Sequence, residues 1–378
     1  MLSPFRTALA VSSLLIAAAV APAADSWVYI GTYTGKGEKD SKGIYRARLE
    51  AATGKLSAPE LAAELTSPSF IAIHPNGKYL YAVGETGGKD GGGVFAFAID
   101  AKTGALTRLN EQTSGGSGPC HIAVDPKGRH AIVANYGGGS TAIFKLGEDG
   151  KLESRTAFFQ HKGSSADKSR QEAPHAHCGA FMPSGDVALT VDLGLDRVKA
   201  FKVAPTGISE EAGLDIVTPP GTGPRHIAIA KDGHYAYVCG ELNSTVNVVH
   251  LDEKSGKGEV IQTLSTLPQP VKGNSTAECI LSPNGKFVYV SNRGHNSIAV
   301  FKVGEDRKLT SVGHITGDIK IPRNFNIDPS GKWMLIGSEQ GGKVGEWEID
   351  ESTGLARETS NTIAVSKPVC VKFVPVAK

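Results

Sequence analysis

One sentence of sequence is written six times along this chain. An apolar run, a short turn ending in glycine, and a second apolar run recur as FIAIHPNGKYLYAVGE from Phe70, HIAVDPKGRHAIVANY from His121 and HIAIAKDGHYAYVCGE from His226. They return as CILSPNGKFVYVSNR from Cys279 and FNIDPSGKWMLIGSE from Phe325, with a divergent copy, CGAFMPSGDVALTVDL, from Cys178. The turn glycines, Gly77, Gly128, Gly185, Gly233, Gly285 and Gly331, are 51, 57, 48, 52 and 46 residues apart. A period near 50 sustained over the whole chain marks one repeat architecture, not a string of linked domains.

Each copy continues into a third apolar run, at 94–99, 141–146, 198–203, 246–251, 298–303 and 344–349, and fourth runs begin near Leu106, Leu152, Leu309 and Leu355. The alternation has strand period, and helical periodicity of any length is confined to the start of the chain. Four strands per unit make a propeller blade. The chain ends fix the blade count. WVYIG at 27–31 reads as a seventh second strand, and PVCVKF at 368–373 as a seventh first strand that stops before its partner. Pairing the two closes the ring and removes a free sheet edge. The fold class expected is therefore all-β: one seven-bladed β-propeller domain of four-stranded blades over 25–378, closed by its N- and C-terminal strands. The 378 residues less a 24-residue leader leave 354, about 51 per blade.

Residues 1–24 read as a secretory signal peptide: Arg6, a 13-residue apolar run at 8–20, then Ala21-Pro22-Ala23 at a cleavage position. Thirteen residues fall short of the ~20 needed to span a bilayer. The expectation is an exported protein, periplasmic or secreted, with no membrane attachment after cleavage. With 40 Lys+Arg against 38 Asp+Glu, the chain has no bulk field for nucleic acid. A closed ring needs no partner chain, so a monomer suffices. The five cysteines show no CxxC or metal spacing and are expected as buried thiols rather than bridges. There is no GxSxG elbow or HExxH, and the glycine-rich stretch at 87–93 joins two strands of one blade without opening a helix. No metal and no cofactor are expected.

Polar residues recur at fixed offsets. In a blade the start of the first strand lies beside the end of the second, at one mouth of the central channel. Eight residues before each turn glycine stand Ser69, Cys120, His177, Arg225, Ala277 and Arg323; eight after it stand Glu85, Tyr136, Leu193, Glu241, Arg293 and Glu339. One residue further in are His121, His226, Glu278 and Asn324. Guanidinium forks bind carboxylate, phosphate or a developing oxyanion, and carboxylate or imidazole moves protons. Strand ends are also ordinarily solvated, so spacing alone leaves a site and surface decoration equally open. The insertion at 160–176, which lengthens one spacing to 57, is expected to cover the mouth and bring His175 or His177 to a ligand.

The segments YIGTYT (29–34), RQEAPHAH (170–177), GPRHIAI (223–229), ELNSTVNV (241–248) and SNRGHNSIAVF (291–301) resemble the lactonase family of seven-bladed propellers, which includes propeller-type 6-phosphogluconolactonases and fungal carboxymuconate cyclases. The resemblance covers about 27–374. It implies hydrolysis of a sugar-acid lactone, with a small-molecule lactone or acidic sugar derivative as ligand; muconate-type cycloisomerisation and noncatalytic binding are the alternatives. It places catalysis on His177, Arg225 and Glu241, with Arg293 a fourth match; the mechanism expected for hydrolysis has Glu241 as general base, His177 as acid at the ring oxygen, and Arg225 with Arg293 at the oxyanion. Arg293, His226, Arg323, Glu278 and His121 are expected to bind substrate.

Overall fold

The computed structural model describes residues 24–88, 91–204, 207–210 and 213–377. The leader expected over residues 1–24 lies, but for Ala24, outside the described residues, as do Lys89 and Asp90 of the glycine-rich hairpin.

Each repeat folds as its alternation dictates. Seven antiparallel sheets form, each wound outward strand by strand, and blade 4 adds a short fifth strand. The first strands of the repeats contact one another around the centre. Those innermost strands are Ile71–Ile73 in blade 2, Pro119–Val124 in blade 3, Ala176–Phe181 in blade 4, Pro224–Ile229 in blade 5, Ser275–Leu281 in blade 6 and Pro322–Ile327 in blade 7. Blade 1 is the closing blade. Its innermost strand, Pro368–Pro375, pairs with Ser26–Thr32 in a register running from Ser26 opposite Pro375 to Ile30 opposite Val371, so the two chain ends share one sheet.

Burial follows position in the blade. Second strands such as Val187–Asp192 and Trp333–Ser338 are buried at every residue, because both faces pack against neighbouring blades. Outer strands such as Leu152–Gln160 are exposed at alternate or successive residues. The core therefore lies between blades: Tyr289 and Ile298 of blade 6, for example, pack with Phe325, Ile336 and Trp347 of blade 7. All six turn glycines take φ between 71° and 81°, the left-handed region that a side chain resists.

A tyrosine in the second strand locks each of several blades to the next. Tyr29 Oη donates to Gly104 O at 2.8 Å, Tyr81 to Gly150 O at 3.0 Å and Tyr289 to Gly354 O at 2.9 Å, each reaching the outer hairpin turn of the following blade. All five cysteines are buried free thiols.

Candidate active site at the channel mouth

The ladder between innermost and second strands breaks at one equivalent place in blade after blade. The register shifts between Pro119 and His121, between Ala176 and Cys178, between Pro224 and Ile227, between Thr276 and Cys279, and between Pro322 and Asn324. The residues skipped by the ladder are Cys120, His177, Arg225 with His226, Ala277 with Glu278, and Arg323. A β-bulge re-aims its extra side chain. Here it takes the sequence-predicted residues out of strict strand alternation and brings several of them to the central channel.

The closing blade repeats the device: Val369 is skipped where Gly31 pairs with Cys370 and Thr32 with Pro368. The blade tyrosine supplies the matching second-strand position. Four residues after Tyr81, Tyr237 and Tyr289 stand Glu85, Glu241 and Arg293; four after Tyr29 stands Tyr33. Tyr33 and Val369 were missed by offsets counted from turn glycines, because the closing blade joins opposite chain ends and has no such glycine. The tyrosine spacing would have found Tyr33.

Residues from these positions enclose a chamber lined by Tyr33, Ser69, Glu85, Cys120, His177, Arg225 and Arg323, with Val369, Phe70 and His226 completing its wall. Its free volume, about 10 Å³, is the room of a single water. Beside it, Glu241 gathers three arginines. Its Oε2 accepts from Arg225 Nε at 2.8 Å and lies 3.0 Å from Arg293 Nη2, while its Oε1 accepts from Arg170 Nη2 at 2.9 Å. Backbone carbonyls hold the same guanidinium groups: Arg225 Nη1 donates to Ala277 O at 2.6 Å and Arg293 Nη2 to Thr276 O at 2.9 Å. Burial alone would raise the Glu241 carboxyl, but the charges of Arg293 and Arg225, with Arg170's hydrogen bond, outweigh it and hold the group at about 2. Burial and the nearby Arg225 charge lower Arg293 to about 10, and its Nε has no hydrogen-bond partner among the described residues. Arg323 stacks 5.3 Å over Tyr33, whose hydroxyl donates to Glu85 Oε2 at 3.0 Å. Among the described residues no carboxylate stands at ion-pair distance from Arg323.

His177 is buried at the chamber wall, its Nδ1 3.8 Å from Cys120 Sγ. Burial first, then the charge of Arg225, drive it well below the ordinary histidine range, so it is neutral. The insertion does reach the mouth. Its two ends are tied to one carboxylate: Asp192 accepts from His161 Nδ1 at 2.6 Å through Oδ2 and from the His175 amide at 2.9 Å through Oδ1. Between them Arg170 crosses to Glu241 and to Tyr136 Oη at 3.1 Å, while His175 stacks 4.6 Å from the Tyr136 ring. Arg170, not His175, is thus the loop residue that joins the charged cluster. Arg170 was missed because an aperiodic loop gives no offset from which to place it.

His121, His226 and Glu278 occupy a deeper layer. The His121 ring lies 4.0 Å from Phe70 and 5.2 Å from His226, and His226 lies 5.4 Å from His177, so these rings pack together across the channel. His121 is engaged by Gly179 N at 3.3 Å and Cys178 Sγ at 3.4 Å. A funnel of about 410 Å³, lined by His121, His226, Glu278, Ile229, Leu281 and Lys372 among others, opens from this layer at the other end of the innermost strands. The sequence-predicted residues therefore divide between two levels: Glu241, Arg225, Arg293, His177 and Arg323 at the mouth, and His121, His226 and Glu278 beneath it. Among the described residues no group of three or more His, Cys, Asp or Glu is placed to hold a metal.

Comparisons with known proteins agree with this architecture. Residues 27–373 match the family model described as "Lactonase, 7-bladed beta-propeller". The chain is 37% identical over 348 residues to a 6-phosphogluconolactonase of Bacillus subtilis, covering 92% of this chain and 97% of the relative. The structure superposes on a putative 6-phosphogluconolactonase of Bacteroides fragilis with TM-score 0.86 and 35% identity, covering 93% and 98% of the two chains. It also superposes on the periplasmic gluconolactonase of Pseudomonas aeruginosa with TM-score 0.87 and 27% identity, covering 93% and 100%. Repeat, ring closure, site geometry and whole-chain similarity place the protein in the seven-bladed β-propeller lactonase family.

Proposed function

We propose that the protein is an exported lactonase that adds water to the ring ester of a sugar-acid lactone at the channel mouth. The observation that supports this most is the arginine assembly beside a water-sized chamber. Arg170, Arg225 and Arg293 converge on one carboxylate, and Arg323 faces the same chamber without an ion-pair partner among the described residues. Donors fixed in a dry site before reaction favour the negative charge that develops on the carbonyl oxygen. Arg225 and Arg323 take that role in this reading, and Arg293 holds a hydroxyl of the ligand's ring.

Glu241 sets the arginines instead of accepting the proton. A carboxyl held at about 2 is a weak base at neutral pH. His177, uncharged beside Arg225, offers a hydrogen bond to the ring oxygen. Export favours an unphosphorylated aldonolactone, because phosphorylated sugar lactones arise inside cells; the neighbour described as a periplasmic gluconolactonase supports the same choice. The test is a panel of phosphorylated and unphosphorylated lactones in a pH-stat with the mature protein. Acidification with the unphosphorylated ring, lost in Arg225→Ala, is the expected result. Saturable binding without acidification by any lactone would overturn the reading.

A further inference from the structure

The lactonase reading leaves the water without an effective base, since Glu241, held at about 2 by its arginines, takes up a proton too weakly. A second carboxylate lies one layer down. Glu278 Oε1 lies 2.7 Å from His226 Nδ1 and accepts from the Cys279 amide at 2.9 Å, and its Oε2 accepts from Asn324 Nδ2. Asn324 is in turn fixed by the Val371 amide, which donates to its Oδ1 at 2.8 Å. Burial would raise Glu278, but His226 and the hydrogen bonds bring it below the ordinary range, so it is a carboxylate with only acceptors to offer. The proton between the pair must therefore sit on His226 Nδ1. That fixes the tautomer and leaves the lone pair on Nε2, which has no hydrogen-bond partner among the described residues.

His226 is one of the walls of the water-sized chamber that also holds His177, Arg225 and Arg323. We infer that His226, oriented by Glu278, is the general base that activates water in this lactonase. The inference rests on the lactonase reading and adds to it the residue that moves the proton. A water O–H proton passes to Nε2 while the water oxygen bonds to the lactone carbonyl carbon, whose π electrons become the oxyanion facing the arginines. Collapse of that intermediate breaks the bond to the ring oxygen, and the imidazolium returns its proton there. One water is added and the base is regenerated; the new carboxylic acid then ionises.

The other channel histidines are less suited. His121 has both ring nitrogens engaged, and among the described residues His177 has no carboxylate within hydrogen-bond reach. Burial lowers His226, with Arg225 and Lys372 adding to that effect, and Glu278 opposes them only in part, so the ring stays below the ordinary histidine range; His121 and His177, which pack against it, are driven well below that range.

The test compares His226→Gln and Glu278→Gln with the wild-type enzyme on the lactone it hydrolyses best. His226→Gln is expected to lose at least ~100-fold in kcat with KM changed only a few fold. Glu278→Gln, a change in a positioning residue, is expected to lower kcat about tenfold and move the acid limb of the kcat/KM profile to lower pH, because it removes the group that raises His226. Nitrogen-15 NMR of the wild-type protein, which needs no variant to fold, should find the resting His226 proton on Nδ1. Retention of kcat within about threefold in folded His226→Gln, an unmoved acid limb in Glu278→Gln, or a proton on Nε2 would each overturn the inference. Absence of lactone hydrolysis by the wild-type protein would instead overturn the lactonase reading itself.

Discussion

Replacing Glu241 with Gln isolates the anion that organises the mouth. The gap between about 2 in the folded protein and 4.5 for a free carboxyl corresponds to about 3–4 kcal/mol of stability. The folded value lies below the unfolded one, so this contribution is complete above pH 4.5 and drains away as pH falls toward 2. Linkage leaves roughly three quarters of it at pH 4 and less than half at pH 3. An unfolding entropy of about 2.1 cal/mol/K per residue makes 1 kcal/mol worth about 1.4 °C for a chain of this length, so the neutral-pH contribution corresponds to about 5 °C in Tm. Thermal melts of wild type and Glu241→Gln at pH 7, 4 and 3 should show a gap near that size at pH 7 which narrows with acid. Equal Tm values at pH 7, or a gap that stays constant down to pH 3, would refute the assignment of Glu241 as the ionised counter-charge of three arginines.

Other consequences can be checked separately. Arg170→Gln removes the insertion's contact with the cluster from a side chain that is 42% exposed; kcat/KM should fall about tenfold, equivalent to about 1.4 kcal/mol, while Tm moves by no more than about 1 °C. An unchanged kcat/KM would mean that the loop covers the mouth without acting on it. Tyr81→Phe leaves the Gly150 carbonyl without the Tyr81 hydroxyl that reaches it at 3.0 Å across the blade boundary and should cost about 1–2 kcal/mol, read as a Tm loss of a few degrees. The five cysteines are buried, and burial raises Cys239 and Cys370 to about 11. A thiol reagent at pH 8 should therefore find almost none in the native protein and all five after denaturation; two fewer would reveal a disulfide.

The propeller was legible because its determinants are local and repeated. Turn glycines at near-constant spacing and apolar alternation at period two fix strands, blades and, through residues 27–31 and 368–373, the closure. The site was legible only in part. Offsets from Gly233 and Gly285 located Arg225, Glu241 and Arg293, since equivalent positions in a ring meet at its axis. The bulges that aim His177 and Arg323 were hidden, because one extra residue in a ladder leaves the hydrophobic alternation of the flanking residues intact. Tyr33 was hidden by the missing turn glycine of the closing blade, and Arg170 by the lack of any period in its loop. Proton positions were the least legible feature. Glu241 and Glu278 are both buried carboxylates on neighbouring repeats, and only their partners, three arginines for one and His226 with Asn324 for the other, separate their chemistry.

The central claim is that substrate is turned over at the end of the channel where the arginines converge. A crystal structure of the protein soaked with the sugar acid formed from its best lactone tests that claim most directly. The product carboxylate should lie against Arg225 and Arg323, beside Tyr33 and His177. A product seated instead in the opposite funnel, against Lys372, with the arginine end unchanged, would contradict the account.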